Sequence, residues 1–244
     1  MNDEVQFLDS ITQDEISREW DAIAHERDSE ISSNADASFA QILEPWILNR
    51  TREARTVIDV GCGTGRLTSQ LGRRAPSVLG VDPSVESIEI ARKNDSTIQF
   101  HNTTLEHFVT ISPDYKADLV VANMVLMDAL DLNGICHAIT RISPTGRIVA
   151  TITHPAFWPL YWGYADNQGF NYKNEIVVQA PFKTNNHKFG KLSTHVHRPL
   201  ETYLDIFRQN GIKIIDLEEM RGPEPIAHFP FPRFLGIEAF MSAG

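Results

Sequence analysis

The run VIDVGCGTG, residues 57–65, places Gly61, Gly63 and Gly65 at alternate positions after a β-branched stretch and before a helical one. Glycine at that spacing lets the backbone turn sharply and approach a ligand closely. A pyrophosphate-binding fingerprint would be G-x-G-x-x-G, yet Arg66 stands where the third glycine is needed. Asp82 closes the next strand-like run, VLGVD, about 20 residues after the glycine turn, where a carboxylate can accept hydrogen bonds from ribose hydroxyls. The pattern implies a nucleoside without a pyrophosphate.

A second group of reactive side chains follows the run GRIVATIT. His154 and Pro155 come first, then Phe157, Trp158, Tyr161, Trp162 and Tyr164. Aromatic walls suit a flat organic acceptor and exclude water; the same rings could instead form a small second core. His154 titrates near neutrality and is the first candidate for a general base, although a histidine before proline can equally hydrogen-bond its own loop. Tyr161, Tyr164 and Asp128 are further candidates. Lys183, Lys188, Lys191 and Arg198 form a basic tract without acidic residues, either a solvated loop or a patch that steers an anionic acceptor. His195 and His197 share strand parity, but no carboxylate is evident to complete a metal site, so none is expected.

Positioning these groups requires alternating elements. Between Thr56 and Ile152 short β-branched runs (TVIDV, SVLGV, STIQF, ADLVVANM, GRIVATIT) alternate with helical patterns, which indicates a parallel sheet with crossover helices. Ser84 is placed to cap the helix after Asp82, with Glu86 in its first turn and Arg92 and Lys93 in its last. A helix is expected near Asp14–Arg27. An amphipathic helix is expected over Phe39–Leu48, despite Pro45. The chain divides into an N-terminal helical cap (1–50), a nucleoside-binding core (51–154), an irregular aromatic and basic insertion (155–198) forming an acceptor pocket or lid, and a C-terminal helix and strands completing the core (199–244).

With these motifs in place, the chain resembles the class I S-adenosylmethionine-dependent methyltransferases of small-molecule type, whose acidic residue followed by G-x-G-x-G matches Asp59, Gly61, Gly63 and Gly65. The resemblance implies an α/β, Rossmann-like doubly wound sheet of seven strands, mostly parallel with an antiparallel last strand. It implies S-adenosyl-L-methionine as cofactor and S-adenosyl-L-homocysteine as product. Asp82 and Pro83 would take the ribose, Thr104 and Leu105 the adenine, and Asn123 and Met124 the methionine moiety. The stretch WDAIAHERD resembles an aromatic-Asp-x-x-Ala-x-x-Tyr segment of the family, with Arg27 at the Tyr position. Arg27 would clasp the methionine carboxylate through two parallel bonds, or else pair with Glu26 or Asp28. Phe157, Trp158, Trp162 and Tyr164 would hold the acceptor.

Composition narrows the partners. Against 22 Lys and Arg stand 32 Asp and Glu, a formal charge of −10, which disfavours a surface that grips phosphate backbones. After the fourth strand the chain reads Asn123-Met124-Val125-Leu126, not the Asn/Asp-Pro-Pro-aromatic motif of exocyclic-amine methyltransferases of nucleic acids. No apolar run reaches the roughly 20 residues of a membrane span, and no export segment is evident. Cys62 and Cys136 cannot build a disulfide framework. A cytoplasmic enzyme that methylates O or N of a small aromatic or heteroaromatic metabolite is expected. The alternatives are a tRNA or other nucleic-acid methyltransferase, a fold member that binds the cofactor without transferring a methyl, and a nicotinamide-dependent oxidoreductase, which Arg66 disfavours.

Overall fold

The computed structural model describes residues 4–184 and 187–241. The alternating runs become strands β2 (Thr56–Val60), β3 (Ser77–Asp82), β4 (Gln99–Asn102), β5 (Leu119–Asn123) and β6 (Arg147–Thr153), each parallel to its neighbour within one sheet. Before them lie β1 (Gln6–Leu8), α1 (Gln13–Ser32) and α2 (Glu44–Arg50). Between them run α3 (Arg66–Gly72), α4 (Val85–Asn94), α5 (Leu105–Ile111) and α6 (Leu132–Ile142). After them come α7 (Trp158–Trp162), β7 (Ile176–Lys183), β8 (Lys188–His197), α8 (Leu200–Gln209), β9 (Ile212–Met220) and β10 (Phe234–Met241). The main sheet has the order β4-β3-β2-β5-β6-β10-β9, and β10 runs antiparallel to both its neighbours. This is the expected seven-stranded, doubly wound arrangement.

Period-two alternation splits the central strands between two cores. Ile58, Val120 and Ile148 pack under α5, α6 and α8 with Phe108, Ile139 and Phe207, whereas Val57, Leu119 and Val149 face Trp46, Ile47 and Leu71 on α2 and α3. Helix starts follow side-chain chemistry. Thr12 and Glu15 form a reciprocal capping box on α1, and Ser84, Thr104 and Asp131 accept the orphan N–H groups of α4, α5 and α6.

Three expectations are revised. Phe39–Leu48 is not one α-helix but a π-helical turn, Phe39–Leu43, followed by α2 with Pro45 in its first turn. Proline has no N–H to return to the preceding turn, so the ladder widens there while Phe39, Leu43, Trp46 and Ile47 keep their common buried face. Residues 155–198 are not irregular throughout: β7 and β8 form an antiparallel hairpin that adds β1, making a separate three-stranded sheet. The basic tract is not one surface. Arg198 is 1% exposed and donates to the carbonyls of Leu126, Ala129 and Leu130 at 3.3, 2.8 and 3.0 Å while pairing with Glu175; Lys191 pairs with Glu26 at 2.8 Å.

Arg198 thereby laces the loop after β5 into shape, and Val196 N–H adds a 2.7 Å bond to the Met127 carbonyl. Arg198→Met is expected to lower stability by about 2–3 kcal/mol, because charge-assisted bonds to buried carbonyls are lost together. Thermal and urea unfolding check this; an unchanged midpoint would deny the loop its anchor.

Candidate active site

Beyond the carboxyl ends of β2, β3 and β5 lies a cleft of about 310 Å³, floored by the glycine turn and roofed by α1 and the second sheet. Gly61 and Cys62 both donate to the Val81 carbonyl, at 2.8 and 3.1 Å, which bends the chain from β2 across the end of β3. Gly61, Gly63 and Gly65 all have positive φ, +64°, +54° and +76°. A Cβ on Gly61 would stand 2.3 Å from Val125 Cγ2, whereas one on Gly63 would meet nothing within 4 Å and project into open space. Gly61→Ala is accordingly expected to cost about 2–4 kcal/mol of stability, from left-handed backbone strain and overpacking together. Adding Val125→Ala should return only the overpacking share in thermal unfolding; full recovery would refute the strain.

Asp82 is held by the same turn. Its Oδ2 accepts from Gly63 N–H and its Oδ1 from Ser84 N–H, both at 2.8 Å. Burial raises its pKa to about 6, against the pull of those two N–H groups. Asp59 sits beneath the turn and not in the cleft wall. Thr68 donates to it at 2.7 Å, and burial, with the Asp82 charge adding to it, raises its pKa to about 7.

The cleft wall gathers many of the residues singled out from sequence: Arg27, Gly61, Gly63, Asp82, Pro83, Thr104, Leu105, Asn123, Met124, Asp128, Trp158 and Trp162. Asn123 Oδ1 accepts from Thr151 Oγ1 at 2.8 Å, and Met124 adopts φ +58° with its N–H on the Thr151 carbonyl. A left-handed non-glycine residue costs on the order of 1 kcal/mol, here on the wall of a ligand-sized cleft. Thr104 Oγ1 accepts from His107 N–H, which leaves its hydroxyl hydrogen to donate. Arg27 pairs with neither Glu26 nor Asp28 but binds Glu30 at 2.9 Å and Asp36 at 2.6 Å. Asp28 instead receives two 2.8 Å bonds from Arg66, so the residue in place of a third glycine clamps α1 over the turn.

His154, Phe157, Tyr161 and Tyr164 are not brought to the cleft. His154 Nδ1 accepts from Ala156 N–H and its Nε2 lies 2.9 Å from Glu219, so both ring nitrogens serve the loop. Burial lowers its pKa, with Glu219 opposing. Phe157 stacks on Phe231, and Tyr161 lies 3.9 Å beneath the Arg233 guanidinium. Tyr164 is buried, its hydroxyl 3.2 Å from Nε2 of His195, which does line the cleft.

Sequence reasoning did not place Trp20, Phe182, Thr194, Arg233 and Phe234 in this wall. Trp20 was visible as the aromatic residue of WDAIAHERD, and it hydrogen-bonds the Asp128 carboxyl. Burial raises the Asp128 pKa well above the usual carboxylate range; Glu19 and Asp82 push the same way, and Trp20 and Arg198 oppose. His195 and His197 do not act as a pair: His197 turns to the Tyr172 carbonyl at 3.1 Å, and burial lowers the His195 pKa to about 3, leaving a neutral ring in the cleft. Among the described residues no cluster of three or more His, Cys, Asp or Glu could hold a metal ion, and no helix is long and apolar enough to cross a membrane.

Such a cleft fits S-adenosylmethionine. The space over Gly63 admits a ligand against bare backbone, and the Asp82 carboxylate keeps lone pairs beyond those that accept the Gly63 and Ser84 N–H groups. Comparison with known proteins agrees. Residues 51–202 match a family model described as a methyltransferase domain. The chain is 33% identical over 103 residues to the mitochondrial ubiquinone biosynthesis O-methyltransferase of Bos taurus, a match over 39% of this chain and 28% of that protein. It is 24% identical over 221 residues to the malonyl-[acyl-carrier protein] O-methyltransferase of Halalkalibacterium halodurans, covering 82% of this chain and 79% of the relative. Among solved structures, the 1,6-didemethyltoxoflavin-N1-methyltransferase of Burkholderia thailandensis, with 1,6-didemethyltoxoflavin and S-adenosylhomocysteine bound, superposes with a TM-score of 0.59 at 14% identity, over 98% of this chain and 95% of that one. With its glycine turn, strand order and family match in accord, the chain belongs to the S-adenosylmethionine-dependent methyltransferases.

Proposed function

We propose that this methyltransferase acts on oxygen or nitrogen of a small aromatic or heteroaromatic acceptor, and that Asp128 receives the proton the acceptor gives up. The observation that carries this reading is the aromatic wall of the cleft, made by Trp20, Trp158, Trp162, Phe182 and Phe234. Such a wall offers flat apolar surface and excludes water. The relatives' names add support for oxygen in the two curated proteins and for nitrogen in the Burkholderia enzyme.

When bound, S-adenosylmethionine supplies an electrophilic methyl on a cationic sulfur. The chain's own work is to position and to dry the site. Asp82 would take the ribose hydroxyls, Thr104 and Leu105 the adenine edge, and Asn123 and Met124 the methionine end, with Arg27 bracing that wall through Glu30 and Asp36. Holding the acceptor in line substitutes prepaid orientation for a bimolecular encounter, which is where most of the acceleration in methyl transfer originates. Asp128, its pKa raised by burial and its carboxyl oriented by the Trp20 indole, is when ionised a stronger proton acceptor than an ordinary carboxylate.

The purified protein should form S-adenosylhomocysteine, read by mass spectrometry, when given phenols, catechols or N-heteroaromatics, and not when given total tRNA or DNA. Methyl incorporation into polymer alone would overturn the small-acceptor reading.

A further inference from the structure

Two groups on the acceptor side of the cleft stand without the partner their chemistry calls for. Trp158 is 8% exposed, and its indole N–H, which can only donate, has no hydrogen-bond partner among the described residues. Such buried orphans call for an explanation, and here the residue lines a ligand-sized space. Lys183, at the end of β7, is half-buried in the same wall with its ammonium 5.8 Å over the Trp162 ring, and it pairs with no carboxylate of the described residues. The two indoles are adjacent, with centroids 5.4 Å apart, so the lone cation and the lone donor belong to one end of the cleft.

Charge at that end can be counted. The Arg233 guanidinium lies 6.0 Å from the Trp158 ring and is balanced by Glu224 at 2.7 Å. His195, edge-on to Trp162 at 5.4 Å, stays neutral because burial lowers its pKa. Lys183 is a positive charge with no carboxylate paired to it among the described residues, beside an unmet donor and inside aromatic walls. Only a hydrogen-bond acceptor bearing negative charge satisfies both. One negative charge matches Lys183, whereas a dianionic phosphate would leave a charge unpaired among apolar rings.

We propose that the methyl acceptor is an aromatic monoanion whose carboxylate is taken up at the Lys183–Trp158 end, with its ring among Trp158, Trp162 and Phe182. This rests on the small-acceptor reading above and names its substrate class. The site also accounts for a basic side chain on the inner wall of an otherwise acidic protein.

The test uses the full chain saturated with S-adenosylhomocysteine, titrated calorimetrically with benzoate and with benzamide, which share shape but not charge. Benzoate should bind about tenfold tighter, as one charge-assisted contact in a partly dry site would give. Lys183→Gln should bring benzoate down to the affinity of benzamide without moving benzamide itself, and Lys183→Arg should restore the preference. Equal affinities in the unsubstituted protein, no saturable benzoate binding, or a preference that survives Lys183→Gln would each overturn the assignment. Those failures differ from failure of the broader reading: a protein that methylates neutral small acceptors and ignores benzoate refutes the anion alone, and one that methylates only tRNA or DNA refutes both.

Discussion

Asp82→Asn is expected to weaken S-adenosylhomocysteine binding on the order of 100-fold, about 3 kcal/mol, a loss matching two charge-assisted hydrogen bonds. The isostere fails twice. Both carboxylate oxygens accept backbone N–H groups, from Gly63 and Ser84, and an amide can present an acceptor to only one of them while its NH2 opposes the other. The turn that shapes the floor of the cleft is therefore disturbed along with the proposed ribose contact. A pH dependence accompanies this. With a pKa of about 6, Asp82 is largely ionised well above that value and largely protonated well below it, so affinity in the unsubstituted protein should level off well above that pKa and fall as the pH drops through it. Calorimetric titration between pH 5 and 8, paired with thermal unfolding, reads both effects. An Asp82→Asn affinity within about threefold of the parent would mean that the carboxylate does not grip the ligand.

Asp128→Asn is expected to lower the rate of methyl transfer by about 10² to 10⁴, the usual contribution of a positioned proton acceptor. Asparagine keeps an oxygen for the Trp20 indole, so the fold should survive and the loss should fall on turnover and not on cofactor binding. The sign follows from the raised pKa. A base works when deprotonated, so kcat/KM should climb with pH through the Asp128 ionisation, which burial places well above that of a free carboxylate, and then level off. That rising limb should vanish in Asp128→Asn. If it persists, with a rate near the parent's, Asp128 is not the proton acceptor.

Much of the glycine turn was legible in sequence because its geometry is local. Positive φ at Gly61, Gly63 and Gly65 is a demand on single residues that glycine meets and others resist, and Asp82 ends the strand whose carbonyl at Val81 receives the turn. Alternating β-branched runs and helical stretches likewise specify a parallel sheet before any contact is known, and the sheet formed as read. The helix cap at Ser84 was a matter of the next three residues.

The acceptor half depended on tertiary packing, and parity explains the misplacements. Thr153 and His154 leave the same strand end one residue apart, so they face opposite ways: Thr153 lines the cleft and His154 turns to Glu219. Trp158 and Trp162 are four apart on α7 and share the cleft face, whereas Tyr161 faces Arg233. Phe182, Lys183, Thr194 and His195 reach the site only because β7 and β8 pair with each other and with β1, 171 residues away in register at Phe7 and Val178, a choice no local pattern encodes. Arg198 shows the limit most clearly: in sequence it was one cation of a basic tract, and packing buried it against three carbonyls of a loop some 70 residues earlier. What sequence determined alone was the backbone chemistry of the glycine turn; which side chains line the rest of the cleft was decided by long-range strand pairing and burial.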